Sequence, residues 1–293
     1  MIPALRLLTV LCMLTLAPSF SGAAQAQTDT GLLARGEYIL RISGCVHCHT
    51  AEGGVPLAGG RALETPFGTF YSPNITSHRT AGIGAWSAED LRRALHQGAS
   101  PDGNDYYPAF PYTSYTRILA DDVRDLHAYL LSLPASDQPN RDHELAWFLG
   151  SRIAATAWKW LFFSPGEFQP TAAKDAQWNR GAYIVEAMGH CAECHTPRNL
   201  FGALNTDQAY AGNAEGPEGE LVPNITAHDT GIGDWSRDAL QEFLKFGELP
   251  DGEYTAGSME QVIEGIRHLT PRDRDALIDY LRSLPPIDNR VRK

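Results

Sequence analysis

One five-residue pattern constrains this chain more than any other feature, because it occurs twice. Cys45-Val46-His47-Cys48-His49 and Cys191-Ala192-Glu193-Cys194-His195 both read C-x-x-C-H. Each stands in the same company. Arg35-Gly36-Glu37-Tyr38-Ile39 precedes the first, and Arg180-Gly181-Ala182-Tyr183-Ile184 precedes the second. Downstream, Ser72-Pro73-Asn74-Ile75-Thr76 answers Val222-Pro223-Asn224-Ile225-Thr226. Gly82-Ile83-Gly84-Ala85-Trp86 answers Gly231-Ile232-Gly233-Asp234-Trp235, and Tyr129-Leu130-Leu131-Ser132-Leu133-Pro134 answers Tyr280-Leu281-Arg282-Ser283-Leu284-Pro285. Order and spacing persist throughout, so the chain is a duplication, with one unit near 31–136 and the other near 175–288.

The pattern has a chemical reason. Two thiols one helical turn apart can add to the two vinyl groups of one porphyrin. The histidine beside the second thiol then lies under the iron and supplies its proximal nitrogen. A lone C-x-x-C is a redox pair or half a zinc site. Here a histidine follows both pairs, and the pairs lie in separate repeats. The expectation is two covalently attached haem c groups, on Cys45 and Cys48 with His49 as metal ligand, and on Cys191 and Cys194 with His195 as metal ligand.

The N-terminus reads as an export signal. Arg6 carries positive charge, an apolar core follows to Pro18, and Ala24-Gln25-Ala26 fits a small-x-small cleavage site. Residues 1–26 are therefore expected to be removed, Cys12 with them, and a periplasmic location follows. The chain holds 24 Lys and Arg against 35 Asp and Glu, a formal charge of -11. That balance argues against nucleic acid and anionic membrane as partners. No uncharged apolar run is long enough for a transmembrane segment.

Within each unit the reading is helical. Helices are expected over 33–42 and 179–188, running into the cysteine pairs. Ser87 and Ser236 read as N-caps of a second helix, with Leu91 and Leu95 on one face in the first unit and Leu240, Phe243 and Leu244 as the apolar positions in the second. Closing helices are expected over 120–131 and 270–281, the latter opened by Thr270-Pro271 and both stopped by proline. No strand shows period-two alternation, so the fold class is all-α. The domain boundaries are 27–136 and 175–293, joined by an aromatic-rich linker at 137–174. That linker contains Trp147, Trp158, Trp160, Phe162 and Phe163. It is too apolar to float free and is expected to clamp the units together, with docking of a partner protein or of the membrane surface as the alternative. Trp86 and Trp235 are read equally as core residues or as donors to a haem edge.

The opposite faces of the two irons differ. Beyond the signal the chain has two methionines, Met188 and Met259. Met188 lies too close to Cys191 to reach the far face. Met259, in the loop before the closing helix, is the expected distal metal ligand of the second haem. The first unit has neither methionine nor lysine, and its equivalent loop reads Tyr106-Tyr107-Pro108-Ala109-Phe110-Pro111-Tyr112. Phe110 cannot ligate iron. The first haem is then open on one side or uses another group: His78, His96, His127 and His143 are candidates, as are the tyrosines, and His78 has a counterpart in His228, which favours a shared structural role.

These residues place the chain near a known family. Cys45 to Thr50, Thr65-Pro66-Phe67-Gly68-Thr69, Asn74-Ile75-Thr76, Gly82-Ile83-Gly84, Tyr107-Pro108-Ala109, Pro111-Tyr112-Thr113 and the closing Tyr-Leu before Leu-Pro resemble the multihaem c-type cytochrome subunits of periplasmic alcohol and sugar-acid dehydrogenases. The resemblance implies two tandem class I-like cytochrome c domains. It implies electron transfer from a periplasmic dehydrogenase as donor to another cytochrome or an oxidase as acceptor. It also supports His49 and His195 as proximal and Met259 as distal ligands. Two departures stand out. The family typically has a third haem and a membrane-binding segment, and places methionine where Phe110 stands. A carrier without a membrane anchor is the expectation. The alternative is a haem enzyme, peroxidase-like or sulfur-oxidising, with the first haem as an open active site.

Overall fold

The computed structural model describes residues 21–147 and 149–292, so most of the signal segment expected at 1–26 lies outside the described residues. In chain order the helices are α1 (Ser21–Ile42), α2 (Cys45–Cys48), α3 (Ala88–Gln97), α4 (Tyr112–Tyr115), α5 (Ala120–Ser132), α6 (Arg152–Phe162), α7 (Ala176–Tyr183), α8 (Ala192–His195), α9 (Arg237–Phe246), α10 (Ser258–Ile266) and α11 (Pro271–Arg282). A π-helical turn, Ile184–Met188, continues α7.

The caps explain where the second helix of each repeat begins and ends. Ser87 Oγ accepts from the Asp90 N–H, and Asp90 accepts from the Ser87 N–H, a reciprocal box that opens α3. Ser236 accepts from the Ala239 N–H to open α9. Gly98 at φ 58° and Gly247 at φ 78° close these two helices in the left-handed conformation that suits glycine. Thr270 caps α11 with Pro271 at its first position.

In each repeat the first helix crosses the closing helix at a glycine. A Cβ on Gly36 would lie 2.6 Å from the Tyr129 Cβ and collide with the Asp125 carbonyl. A Cβ on Gly181 would lie 2.8 Å from the Tyr280 Cβ and collide with the Ala276 carbonyl. The backbones thus meet directly, α1 on α5 and α7 on α11. Ion pairs brace both crossings: Arg35 with Asp125 at 2.6 Å, and Arg180 with Asp273 at 2.7 Å. One hydrophobic cluster runs through both repeats, from Ile39, Leu126 and Leu130 to Ile184, Leu277 and Ile278.

The expectation of an all-α fold needs correction. The chain is largely helical, but it carries a small open antiparallel sheet in the order β1 (Ala62–Thr65), β2 (Gly68–Tyr71), β3 (Glu144–Leu145). Thr65 pairs with Gly68 across a two-residue turn, and Gly68 also pairs with Leu145. Gly68 has φ 122°, and a Cβ there would lie 2.8 Å from the Leu145 Cα. The Thr-Pro-Phe-Gly-Thr motif is therefore a hairpin turn. Strands of two to four residues are too short to display alternation, and the third comes from the distant linker.

The linker wraps the first repeat and reaches the second. In α6, Thr156 donates to Asp105 at 2.6 Å and Lys159 pairs with the same carboxylate, and just beyond the helix Phe163 meets the Tyr112 ring edge-on at 4.9 Å. Trp158 donates its indole N–H to the Phe201 carbonyl at 2.8 Å, and Phe162 stacks on Phe201. Among the described residues, no helix is long and apolar enough to cross a membrane.

Two outcomes test the crossings. Gly36→Ala is expected to destabilise by about 1–3 kcal/mol in denaturant unfolding, as overpacking does; on a free helix surface the same change would stabilise. Burial raises the Asp273 pKa, but the hydrogen bond and charge of Arg180 outweigh it and hold the carboxyl below its ordinary value. Its contribution to stability is therefore present above the unfolded carboxyl range near pH ~4 and is lost as pH falls through the depressed folded value. Asp273→Asn is expected to flatten the acid limb of the stability profile, measured by thermal unfolding as pH is lowered below that range.

Candidate haem-attachment sites

Each site begins with a reversal. The residue before the first cysteine adopts a left-handed conformation in both repeats: Gly44 at φ 63° and His190 at φ 39°. This turns the chain out of α1, or out of the π-helical turn, into the short helix bearing the thiols. Glycine makes the turn without strain. His190 makes it at some cost and is held by its Nδ1 contact to the Met188 carbonyl at 3.0 Å.

The histidine that follows is aimed by a carbonyl. His49 Nδ1 lies 2.7 Å from the Pro73 carbonyl, and His195 Nδ1 lies 2.8 Å from the Pro223 carbonyl. A carbonyl only accepts, so Nδ1 carries the proton and Nε2 keeps its lone pair. This is the orientation a metal-ligating imidazole needs. Burial lowers the pKa of both rings, against the hydrogen bond.

The Pro carbonyls are themselves anchored. Asn74 Oδ1 accepts from the Thr76 N–H at 2.9 Å, while its Nδ2 donates to the Ser136 and Gln138 carbonyls at 2.9 and 3.0 Å. Asn224 Oδ1 accepts from the Thr226 N–H at 2.8 Å, and its Nδ2 donates to the Ile287 carbonyl at 2.8 Å. Both asparagines pin the Pro-Asn-Ile-Thr loop to the segment after the closing helix. On the other side, Gly59 (φ 76°) and Gly212 (φ 91°) let the backbone pass so close that a Cβ would meet Pro73 C at 2.5 Å and Pro223 C at 2.8 Å. The N–H groups of these glycines donate to the His49 and His195 carbonyls, each at 2.7 Å.

None of the four motif cysteines is paired in a disulfide. Burial pushes the Cys45 and Cys191 thiols up to about 12 and Cys194 up to about 11, with Glu193 and Cys48 adding to the last. Among the described residues, no group of three or more His, Cys, Asp and Glu side chains gathers to hold a metal ion. The thiols stand as pairs, each beside one carbonyl-oriented imidazole. That donor set fits a haem c in each repeat.

The two loops that carry the expected distal residues differ. Met259 lies in the first turn of α10, part-buried against the core. Phe110 packs among aromatic rings, 5.7 Å from both Tyr106 and Tyr115. Met188 is fully buried in the core. Of the histidines weighed for the first haem, His78, His127 and His143 have other partners. His78 Nδ1 accepts from the Ala81 N–H and His228 Nδ1 from the Thr230 N–H, the same turn in both repeats. His127 Nε2 contacts the Trp86 carbonyl, and His143 Nδ1 accepts from the Tyr71 N–H. His96 is buried on α3, and its Nε2 has no hydrogen-bond partner among the described residues. Trp86 and Trp235 are part-buried against the core.

Glu193 was not singled out by the sequence. It lies between Cys191 and Cys194, buried, and accepts from Thr113 at 2.6 Å and Ser114 at 2.7 Å of the other repeat, with Arg198 at 2.7 Å. Burial raises its pKa, but Arg198 and the two hydroxyls outweigh burial and hold the carboxyl below its usual range.

Residues 33–134 match the cytochrome c family. The chain is 40% identical over 270 residues to "Diheme cytochrome c-type" of Cereibacter sphaeroides, covering 88% of each. It is 38% identical to "Gluconate 2-dehydrogenase cytochrome c subunit" of Pantoea cypripedii, over 91% of this chain and 62% of that one. It is 35% identical to "Alcohol dehydrogenase (quinone), cytochrome c subunit" of Gluconobacter oxydans, over 93% of this chain and 59% of that one. These sites and relatives define a c-type cytochrome. More narrowly, the chain belongs to the diheme c-type cytochrome family, and it spans about three-fifths of the length of the two dehydrogenase subunits.

The asparagine anchors are testable. Asn74→Ala and Asn224→Ala are each expected to cost about 1–3 kcal/mol, because each strands buried backbone groups. Thermal unfolding of the haem-loaded protein would measure the loss.

Proposed function

We propose that this chain is a dihaem electron-transfer cytochrome of the periplasm. It is built as two tandem class I-like cytochrome c domains, 27–136 and 175–293, joined by the linker 137–174 and preceded by a signal peptide, 1–26. Haem c is held by Cys45 and Cys48 with His49 as proximal ligand, and by Cys191 and Cys194 with His195 as proximal ligand. Met259 is the distal ligand of the second haem. A periplasmic dehydrogenase donates electrons, and another cytochrome or an oxidase accepts them.

The observation that carries this reading is the duplicated histidine mount. Two independent rings present Nε2 through the same Nδ1–carbonyl bond and the same Asn-anchored loop. Iron bound there supplies a one-electron ferric–ferrous couple. The chain's own residues hold each ring at a fixed angle and keep the loop from yielding. Two mounts suit a protein that takes an electron at one site and releases it at the other. The names of the relatives from Pantoea cypripedii and Gluconobacter oxydans support a dehydrogenase as the donor.

Phe110 gives the second reading its one observation, since it stands where the other repeat has Met259. Carbon monoxide titration of the dithionite-reduced protein separates the two. A carrier with shielded irons binds none. Uptake of one CO per chain would assign an open first haem and favour the enzyme reading. Met259→Ala is expected to convert the second haem to high spin, read by visible absorption; unchanged spectra would overturn the ligand assignment. Reduction of both haems by a purified periplasmic dehydrogenase and its substrate tests the donor.

A further inference from the structure

The contact between the two repeats reads the same in both directions. Tyr38 donates to Asp273 Oδ2 at 2.6 Å and accepts from the Thr270 N–H at 3.4 Å. Tyr183, at the matching position of the second repeat, donates to Asp122 Oδ2 at 2.5 Å and accepts from the Leu119 N–H at 3.1 Å. Asp122 and Asp273 lie in the first turn of α5 and α11, and Leu119 and Thr270 are the N-caps of those helices. Each repeat therefore inserts a tyrosine hydroxyl into the N-terminal end of the other's closing helix. The joint has approximate twofold symmetry. Burial, reinforced by the neighbouring aspartate, raises the pKa of both phenols, so both remain donors.

The same symmetry brings the cysteine segments together. Thr113 and Ser114, on α4 of the first repeat, donate to Glu193 between Cys191 and Cys194. Glu264, on α10 of the second repeat, approaches His47 between Cys45 and Cys48 at 3.7 Å. Beside Glu264, Gly265 lies against α1, where a Cβ would collide with the Arg41 carbonyl. Between these contacts the Tyr115 ring, tied to the Ser43 carbonyl at 2.9 Å, meets the His190 ring edge-on at 5.1 Å. Ser43 and His190 stand just before the two cysteine segments.

We propose that Tyr38, Tyr183 and Gly265 are positioning residues that lock the two haem-attachment segments face to face, so that an electron crosses between them inside the chain at one fixed separation. This rests on the electron-carrier reading. In the crossing, one site loses an electron and is oxidised, the other gains it and is reduced, and no bond or proton changes hands. The two tyrosines fix the rotation of one repeat on the other through charge-assisted hydrogen bonds. The missing Cβ at 265 fixes their approach. Tunnelling falls off exponentially with distance, so a small wedge here reaches the rate without touching either iron.

The test uses the haem-loaded full chain. Pulse radiolysis delivers less than one electron per chain, and absorption follows its redistribution between the two haems. The wild-type redistribution is expected to be first order and independent of protein concentration. Gly265→Val adds a wedge against Arg41 and is expected to slow it on the order of tenfold or more, as ångström-scale misplacement does. The static spectrum of each haem stays unchanged. If that variant fails to fold, the Tyr38→Phe and Tyr183→Phe pair gives the same kinetic readout. The pair is also expected to split thermal unfolding into two transitions. An unchanged rate in the folded variant, or a wild-type rate that scales with protein concentration, overturns the proposal. Protein that carries no covalent haem absorption overturns the carrier reading itself, and this inference with it.

Discussion

A histidine ring presents one nitrogen in a fixed direction only if something prevents it from turning, and here that something is a proline carbonyl. The Pro73 and Pro223 oxygens hold Nδ1 of His49 and His195. Those oxygens are themselves fixed because an asparagine two-sidedly binds its loop, to its own Thr and to the chain beyond the closing helix. The closing helix in turn is fixed by its crossing with α1 or α7 at a side-chain-less contact. Helix crossing, loop anchor and imidazole orientation form one mechanical series. Each link is short and hydrogen-bonded or in van der Waals contact, which is why distant glycines and asparagines bear on the site.

The series also explains where strain is tolerated. Leu57 at φ 63° and Tyr210 at φ 64° are left-handed without being glycine, and both accept the Pro-Asn-Ile-Thr loop through their carbonyls at 2.9 Å. Such backbone costs energy. It is offset where the loop it supports must sit at one height beneath the histidine. His190 carries a similar cost at the joint between repeats, where the π-helical turn packs with almost no exposure. Burying Glu193 is a further cost, met by Arg198 and two hydroxyls.

Much of this was legible in the residues. The paired thiols, the following histidines, the capped helices at Ser87, Ser236 and Thr270, and the duplication are local patterns, and the helix starts fall where the caps say. The sheet was not legible, because β3 is two linker residues whose pairing with β2 depends on how α6 docks. Glu193 looked like one of two unspecified positions inside a motif. Its partners lie in the other repeat and no sequence spacing signals them. His78, His127 and His143 could be sorted only by seeing which ring nitrogens were already engaged.

By itself, then, the sequence determined the chemistry and its multiplicity. Thiol spacing and an adjacent imidazole are covalent facts of a single helical turn, and a repeat written twice makes two such turns. What only the tertiary structure decided is how the two copies face one another. That depends on Tyr38 finding Asp273, on Tyr183 finding Asp122, and on Gly265 leaving room for the Arg41 carbonyl. These are contacts between residues far apart in the chain. Their geometry follows from the packing of whole helices and from no local preference of the residues that make it.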